Sequence, residues 1–245
     1  MRAIAIVQAR VGSTRLPGKV LQPVLGAPML VHVVSRCMRA ALIDQVVVAT
    51  TTQSRDDAIA DLCAVRQWPC FRGSEDDVLG RYLGAARAFG AEAVVRITSD
   101  CPLSDPEVID AHVSRLRSHW HEADLVTNMV RQTYPLGLAV EALPLDVLVR
   151  MDRMSVRPDL REHVTTLAYE RPELFAIEHV LHGEDLSALR WTVDTPEDLA
   201  LIRTIFEHFS HDRFSWREAL VAFNRHAQWR EINAQGAASR SGPSR

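Results

Sequence analysis

Short apolar, β-branched runs alternate with longer segments whose apolar positions recur every three to four residues through the first half of the chain. The runs at 3–9, 45–50, 68–71 and 92–98 predict strands, and the segments 28–40, 54–66, 75–89 and 105–119 predict helices. Ser74 is the expected cap of the third helix, with Glu75, Asp76 and Asp77 in its first turn. Asp105 caps the fourth, with Pro106 at its first position. This βαβα rhythm implies a mostly parallel sheet with helices on both faces.

After about residue 123 the rhythm changes. Residues 123–129 and 134–142 read as strands, the second interrupted by Gly137, followed by helices at 144–154 and 159–171 and a strand at 174–182. Residues 189–193 are expected to return to the sheet, with closing helices at 196–209 and 215–223. Thr195, Pro196 and Asp198 form a capping-box start for the first of these. The division is one α/β domain over 1–232, in which 130–188 is an inserted α+β region, and a disordered tail at 233–245 rich in Ala, Gly, Ser and Arg. Leu136, Leu138, Val140 and Leu143 give the 134–142 segment an apolar face that a second copy of the chain can cover, so a homodimer through 130–182 is expected.

Composition narrows the class. A chain of 245 residues with 47% hydrophobic and 24% charged residues has the make-up of an ordinary globular enzyme. A net charge of −3 argues against a nucleic-acid-binding surface. No stretch is long and apolar enough to span a membrane, and the N-terminal run meets Arg10 too early for a signal peptide. The four cysteines show no C-x-x-C pair or zinc spacing. A reduced, soluble, cytoplasmic protein is expected.

The chemistry is concentrated where the first strand ends. Ala9-Arg10-Val11-Gly12-Ser13-Thr14-Arg15-Leu16-Pro17-Gly18-Lys19 joins freely bending backbone at two glycines to three cations, which reads as a phosphate cradle. It is neither a Walker loop, since Val20 follows the lysine, nor a dinucleotide loop, since the third glycine is missing. Arg10, Arg15 and Lys19 suit a triphosphate, with Gly12 and Ser13 against the nucleotide. In an open parallel sheet ligands bind at the carboxyl ends of strands. Asp100, after the 92–98 strand, and Asp194, after the 189–193 segment, reach the same edge. Mg²⁺ takes one or two carboxylates and completes its shell with water and phosphate oxygens, so these two aspartates suit it.

The loop also resembles the N-terminal signature of the CMP-sugar cytidylyltransferases, the acylneuraminate and 3-deoxy-manno-octulosonate (KDO) enzymes, and above all their spore-coat polysaccharide SpsF-like branch. Three further segments fit in order: Phe71-Arg72-Gly73-Ser74-Glu75-Asp76-Asp77-Val78-Leu79, Thr98-Ser99-Asp100-Cys101-Pro102-Leu103 and Trp191-Thr192-Val193-Asp194-Thr195-Pro196-Glu197-Asp198-Leu199. Tyr134-Pro135-Leu136-Gly137 and Arg161-Glu162-His163-Val164-Thr165 match the SpsF-like branch. Ser99 stands where many members have glycine.

The resemblance implies a Rossmann-like, nucleotidyltransferase-type (GT-A-like) sheet and a Mg²⁺-dependent enzyme of polysaccharide biosynthesis. That enzyme transfers CMP from CTP to a sugar acid or related anionic acceptor and releases pyrophosphate. Arg15, Lys19, Asp100 and Asp194 carry the catalysis on this reading, and Ala9, Arg10, Gly12, Ser13, Arg15, Lys19, Arg72 and Thr98 bind the nucleotide. Tyr134, Glu141, Arg161 and His163 face the acceptor, with Arg161 suited to a carboxylate or phosphonate. The alternatives are a glycosyltransferase of the same sheet type, whose usual Asp-x-Asp is absent at Ser99-Asp100-Cys101, and a non-catalytic nucleotide-binding partner. The residues leave the base and the acceptor open.

Overall fold

In the computed structural model, which describes residues 1–238, the first apolar run forms β1 (Ala3–Gln8). A 3₁₀ turn at Lys19–Leu21 and the ribbon of β2 (Pro23–Val24) and β3 (Ala27–Pro28) lead into α1 (Met29–Cys37). Next come β4 (Gln45–Thr51), α2 (Asp57–Val65), β5 (Cys70–Gly73), α3 (Val78–Ala88), β6 (Ala93–Thr98) and α4 (Pro106–Ser118). The second half holds β7 (Leu125–Thr127), β8 (Glu141–Pro144), α5 (Leu145–Met154), α6 (Pro158–Glu162), α7 (Thr166–Glu170) and β9 (Ile177–His179). It closes with α8 (Pro196–Phe209), α9 (Trp216–Arg225) and α10 (Ala227–Ala238).

One seven-stranded sheet runs in the order β5-β4-β1-β6-β8-β7-β9. The chain steps outward from β1 through β4 to β5, all parallel, and then crosses back to place β6 on the other side of β1. β8 is antiparallel to both its neighbours, and β9 runs parallel to β7 at the edge. β1 is buried on both faces because its alternate residues enter two cores. Ala5 and Val7 join a core with α1, α2, α4, α8 and α9, while Ile4 and Ile6 join one with α3 and α5. β8 and β9, from the segment 130–188 expected to be an insertion, belong to this same sheet. The chain reverses direction across the sheet between β1 and β6, the kind of point where ligands bind in α/β folds.

Several boundaries differ from the sequence pattern. Asp77, not Ser74, caps α3: its carboxylate accepts from Gly80 N at 2.8 Å, and Ser74 Oγ accepts from Asp77 N. The expected strand at 134–142 shrinks to β8, because residues before Glu141 bond elsewhere. Asn128 takes Val140 N and donates to Leu138 O, and Leu136 makes a single bridge to Arg190. The 189–193 segment therefore approaches the sheet end without becoming a strand of it. Gly137 sits at φ +114°, where a Cβ would lie 2.6 Å from Trp191 C, so no other residue fits this crossing.

The helix expected at 159–171 breaks into α6 and α7 around Val164, which has φ +56°. α10 runs through Ala238, inside the segment expected to be tail, and 239–245 lie outside the described residues. Leu138, Val140 and Leu143 are buried within the single chain, which removes the apolar face on which the dimer expectation rested.

Candidate active site

A cleft of about 380 Å³ opens at the carboxyl ends of β1 and β6. On the α3 side of the sheet the apolar layer of Ile4, Ile6 and Val94 gives way to Gln8, Arg96 and Thr98 one level up, so period-two alternation itself places polar groups on the cleft floor. The 9–19 loop forms one wall. It is pinned from below by Asp56, a fully buried carboxylate that accepts from Val11 N at 2.7 Å and from the Thr51 hydroxyl. Gly18, at φ +69°, turns the chain so that the 3₁₀ segment presents Lys19 inward.

Lys19 Nζ is the hub. It donates to Asp100 Oδ2 at 3.1 Å, Asp194 Oδ1 at 3.0 Å and Val193 O at 2.7 Å. The two aspartates, 94 positions apart in sequence, are brought together by backbone: Val193 N bonds Asp100 O at 2.8 Å. Arg15 reaches the same Asp194 Oδ1 at 2.9 Å, while Arg190 bonds Asp194 Oδ2 and both oxygens of Asp198. Asp198 also receives the backbone N–H groups of Asp194 and Thr195 as part of the α8 capping box.

Burial raises the Asp194 carboxyl, yet Lys19, Arg190 and Arg15 outweigh it and hold the group down at about 2. Burial likewise lowers Lys19, but the two carboxylates raise it above its ordinary value. Both groups are therefore charged at neutral pH. Cys101, next to Asp100, is buried and its thiol is pushed up to about 12 by desolvation, which leaves it a neutral packing group and not a nucleophile.

Of the residues expected from the sequence, Ala9, Arg10, Gly12, Ser13, Arg15, Lys19, Thr98, Asp100, His163 and Asp194 line the cleft together. Four others do not. Arg72 donates to Thr51 O and Gln53 O and pairs with Asp57, so it ties β5 to the end of β4. Tyr134 packs edge-on against Trp216 and tilted against His182, holding the 130s loop to α9. Arg161 is engaged by Asp77 and Asp152, which fastens α6 to the start of α3 and to α5. Glu141 lies beneath the floor, 2% exposed, and accepts from Arg96, Thr165 and Tyr169.

Sequence reasoning missed Gln8, Arg81 and Arg96 in the cleft, and Arg190 and Asp198 behind Asp194. A signal existed for Arg96, a lone charge inside the apolar run Ala93-Val94-Val95-Arg96-Ile97. For Arg190 the only signal was its spacing to Asp194 and Asp198, four and eight positions on.

Asp100 and Asp194 share one cation, so their carboxylates lie within one ammonium's reach of each other. No cluster of three or more His, Cys, Asp or Glu suited to a metal occurs among the described residues. Two carboxylates with room for water and phosphate oxygens still match what Mg²⁺ takes. The donor set fits provided Lys19 turns from the aspartates toward the phosphates.

Comparison with known proteins agrees with this geometry. The family model described as cytidylyltransferase matches residues 4–217. The spore coat polysaccharide biosynthesis protein SpsF of Bacillus subtilis is 32% identical over 209 residues, 82% of this chain and 85% of that protein. A cytidylyltransferase structure from Leptospira borgpetersenii superposes with a TM-score of 0.91 at 30% identity, covering 95% of this chain and 97% of that one. A CMP-2-keto-3-deoxy-manno-octonic acid synthetase solved with CTP shares the fold, with a TM-score of 0.67 at 18% identity over 85% of this chain and 100% of that one. The match of the cytidylyltransferase family model from Ile4 to Arg217, over a chain whose loop lysine joins two strand-end aspartates, makes this protein a member of the cytidylyltransferase family.

Proposed function

We propose that this enzyme transfers CMP from CTP to a sugar acid with the help of Mg²⁺. The observation that carries the reading is the Lys19 hub, where one ammonium joins Asp100 and Asp194 beside the arginine-bearing loop. An acceptor hydroxyl oxygen attacks the α-phosphorus of CTP, the bond from that phosphorus to the β-phosphate oxygen breaks, and pyrophosphate leaves while the hydroxyl proton passes to solvent. Arg15 and Lys19 neutralise the charge that grows on the leaving pyrophosphate, and the backbone at Gly12 with the Ser13 hydroxyl contacts the nucleotide. Asp100 and Asp194 are the residues that hold Mg²⁺, which when bound supplies charge neutralisation at the phosphate oxygens.

Relatives named as KDO cytidylyltransferases, one from Geobacter sulfurreducens at 42% identity over 47% of this chain, point to sugar acids as the first acceptors to test. A role in polysaccharide biosynthesis follows from the name of the Bacillus relative. No helix of the described residues is long and apolar enough to cross a membrane, and a cytoplasmic setting goes with the reading. A homodimer also stays with it, β9 being an edge strand paired on one side only. Light scattering at micromolar concentration checks the dimer.

The experiment is pyrophosphate release with CTP, UTP, ATP or GTP, each paired with KDO or N-acetylneuraminate, with and without EDTA. Release with CTP alone, abolished by EDTA and restored by Mg²⁺, is expected. Equal rates with a purine triphosphate, or full activity in EDTA, overturn the reading.

A further inference from the structure

We propose that Arg96 recognises the carboxylate of the acceptor, and that Glu141 is the positioning residue that aims it; this rests on the sugar-acid reading above. Arg96 stands in the middle of β6, directly across from Glu141 on β8. Placing a guanidinium in the layer above Val94 and between packed strands is costly unless its N–H groups are answered. Glu141 answers only one end of it, through Nη1.

Glu141 itself is engaged at both oxygens and buried. Thr165 Oγ1 donates to its Oε1 at 2.6 Å, the Tyr169 hydroxyl donates to the same oxygen, and Arg96 takes Oε2. It therefore has the character of a clamp and not of a substrate contact. Arg96 Nε and, on the neighbouring strand, Gln8 Oε1 are buried without a hydrogen-bond partner among the described residues, and both side chains line the cleft. Native proteins leave few such groups unanswered. A molecule carrying a carboxylate and a hydroxyl close together supplies what each one lacks.

The subsite adjoins the phosphate-facing loop in the same cleft but is built from different elements. Arg15 and Lys19 lie on the loop that follows β1, whereas the clamp on Arg96 is built from β8 and from residues 165 and 169 in the inserted region. An arginine is the apt group here, because its planar fork can keep one N–H on Glu141 and offer others to a second carboxylate.

The test compares the wild type, Arg96→Lys, Glu141→Gln and the double variant Arg96→Gln/Glu141→Gln. The double variant removes both charges, so no buried ion is left alone and folding is preserved. Pyrophosphate release from CTP is measured with KDO and N-acetylneuraminate and with their methyl esters, and CTP binding alone is measured by calorimetry. The wild type is expected to prefer the acids. Arg96→Lys and the double variant should raise the KM for the acid by about ten- to a hundredfold, the factor carried by one charge-assisted hydrogen bond. They should also lose the preference over the ester while CTP affinity stays within about threefold. Glu141→Gln should raise the same KM with kcat little changed.

An unchanged KM for the acid in a folded Arg96 variant overturns the assignment, and so does a loss of CTP affinity in place of acceptor affinity. If the wild type releases pyrophosphate with none of the acids, the sugar-acid reading fails, and the assignment fails with it.

Discussion

Asp194→Asn tests the centre of the site, because this carboxylate bears on folding and, in the proposed reaction, on the chemistry. Asp194 is 7% exposed and faces Lys19, Arg15 and Arg190 at 3.0, 2.9 and 2.8 Å. Its carboxyl is held at about 2 against an ordinary 3.8, which is worth about 2 kcal/mol of folding stability at neutral pH. The amide removes that charge, although Lys19 keeps Asp100 and Arg190 keeps Asp198, so the fold survives. For a chain of this length such a loss lowers Tm by roughly 4–8 °C.

The sign with pH is fixed by the depressed value. The contribution is present in full above about pH 4, and it disappears as the pH falls through 2 and the folded-state carboxylate protonates. Urea denaturation of both proteins at pH 7 and at steps down to the acid limit of folding measures the gap, which should narrow only below about pH 4. Turnover of the folded variant should fall about 10²–10³-fold, the usual loss for one group that stabilises transition-state charge. A gap that stays constant down to pH 3 or below, or turnover within threefold of wild type, refutes the reasoning.

Lys19→Ala should weaken CTP binding and turnover together, and calorimetry with CTP alone shows whether the triphosphate loses affinity. Gly137→Ala should destabilise the fold by about 3 kcal/mol or more, since its Cβ meets the Trp191 backbone at φ +114°; thermal denaturation measures it. Leu138→Asp should unfold the chain, not dissociate a dimer, because Leu138 is 1% exposed in the single chain; circular dichroism with light scattering distinguishes the two outcomes.

The sequence alone determined the parts of this protein that are written locally. The alternation of buried runs and amphipathic segments specified β1, β4 and β6 with their covering helices, since strands buried on both faces must be almost wholly apolar. Capping chemistry at Asp105 and Thr195 set two helix starts in full view, because a cap needs only residues within one turn of itself. The loop from Ala9 to Lys19 stood out by composition as a candidate anion site, and the strand ends pointed to Asp100 and Asp194, which the fold brings to the same cleft.

Tertiary structure decided which charges meet. Arg161 had the chemistry of an acceptor ligand, but Asp77 and Asp152 claim it; Arg96 lay inside an apolar run, yet it reaches the cleft. Period-two spacing at Leu138 and Val140 looked like a strand needing a partner, while in the fold Asn128 holds this backbone and the core buries both side chains. An arginine's role is set by whichever carboxylate lies within its reach. For Arg161 and Lys19 those carboxylates arrive from distant parts of the chain, as Asp194 meets Lys19 where Val193 bonds the turn at Asp100.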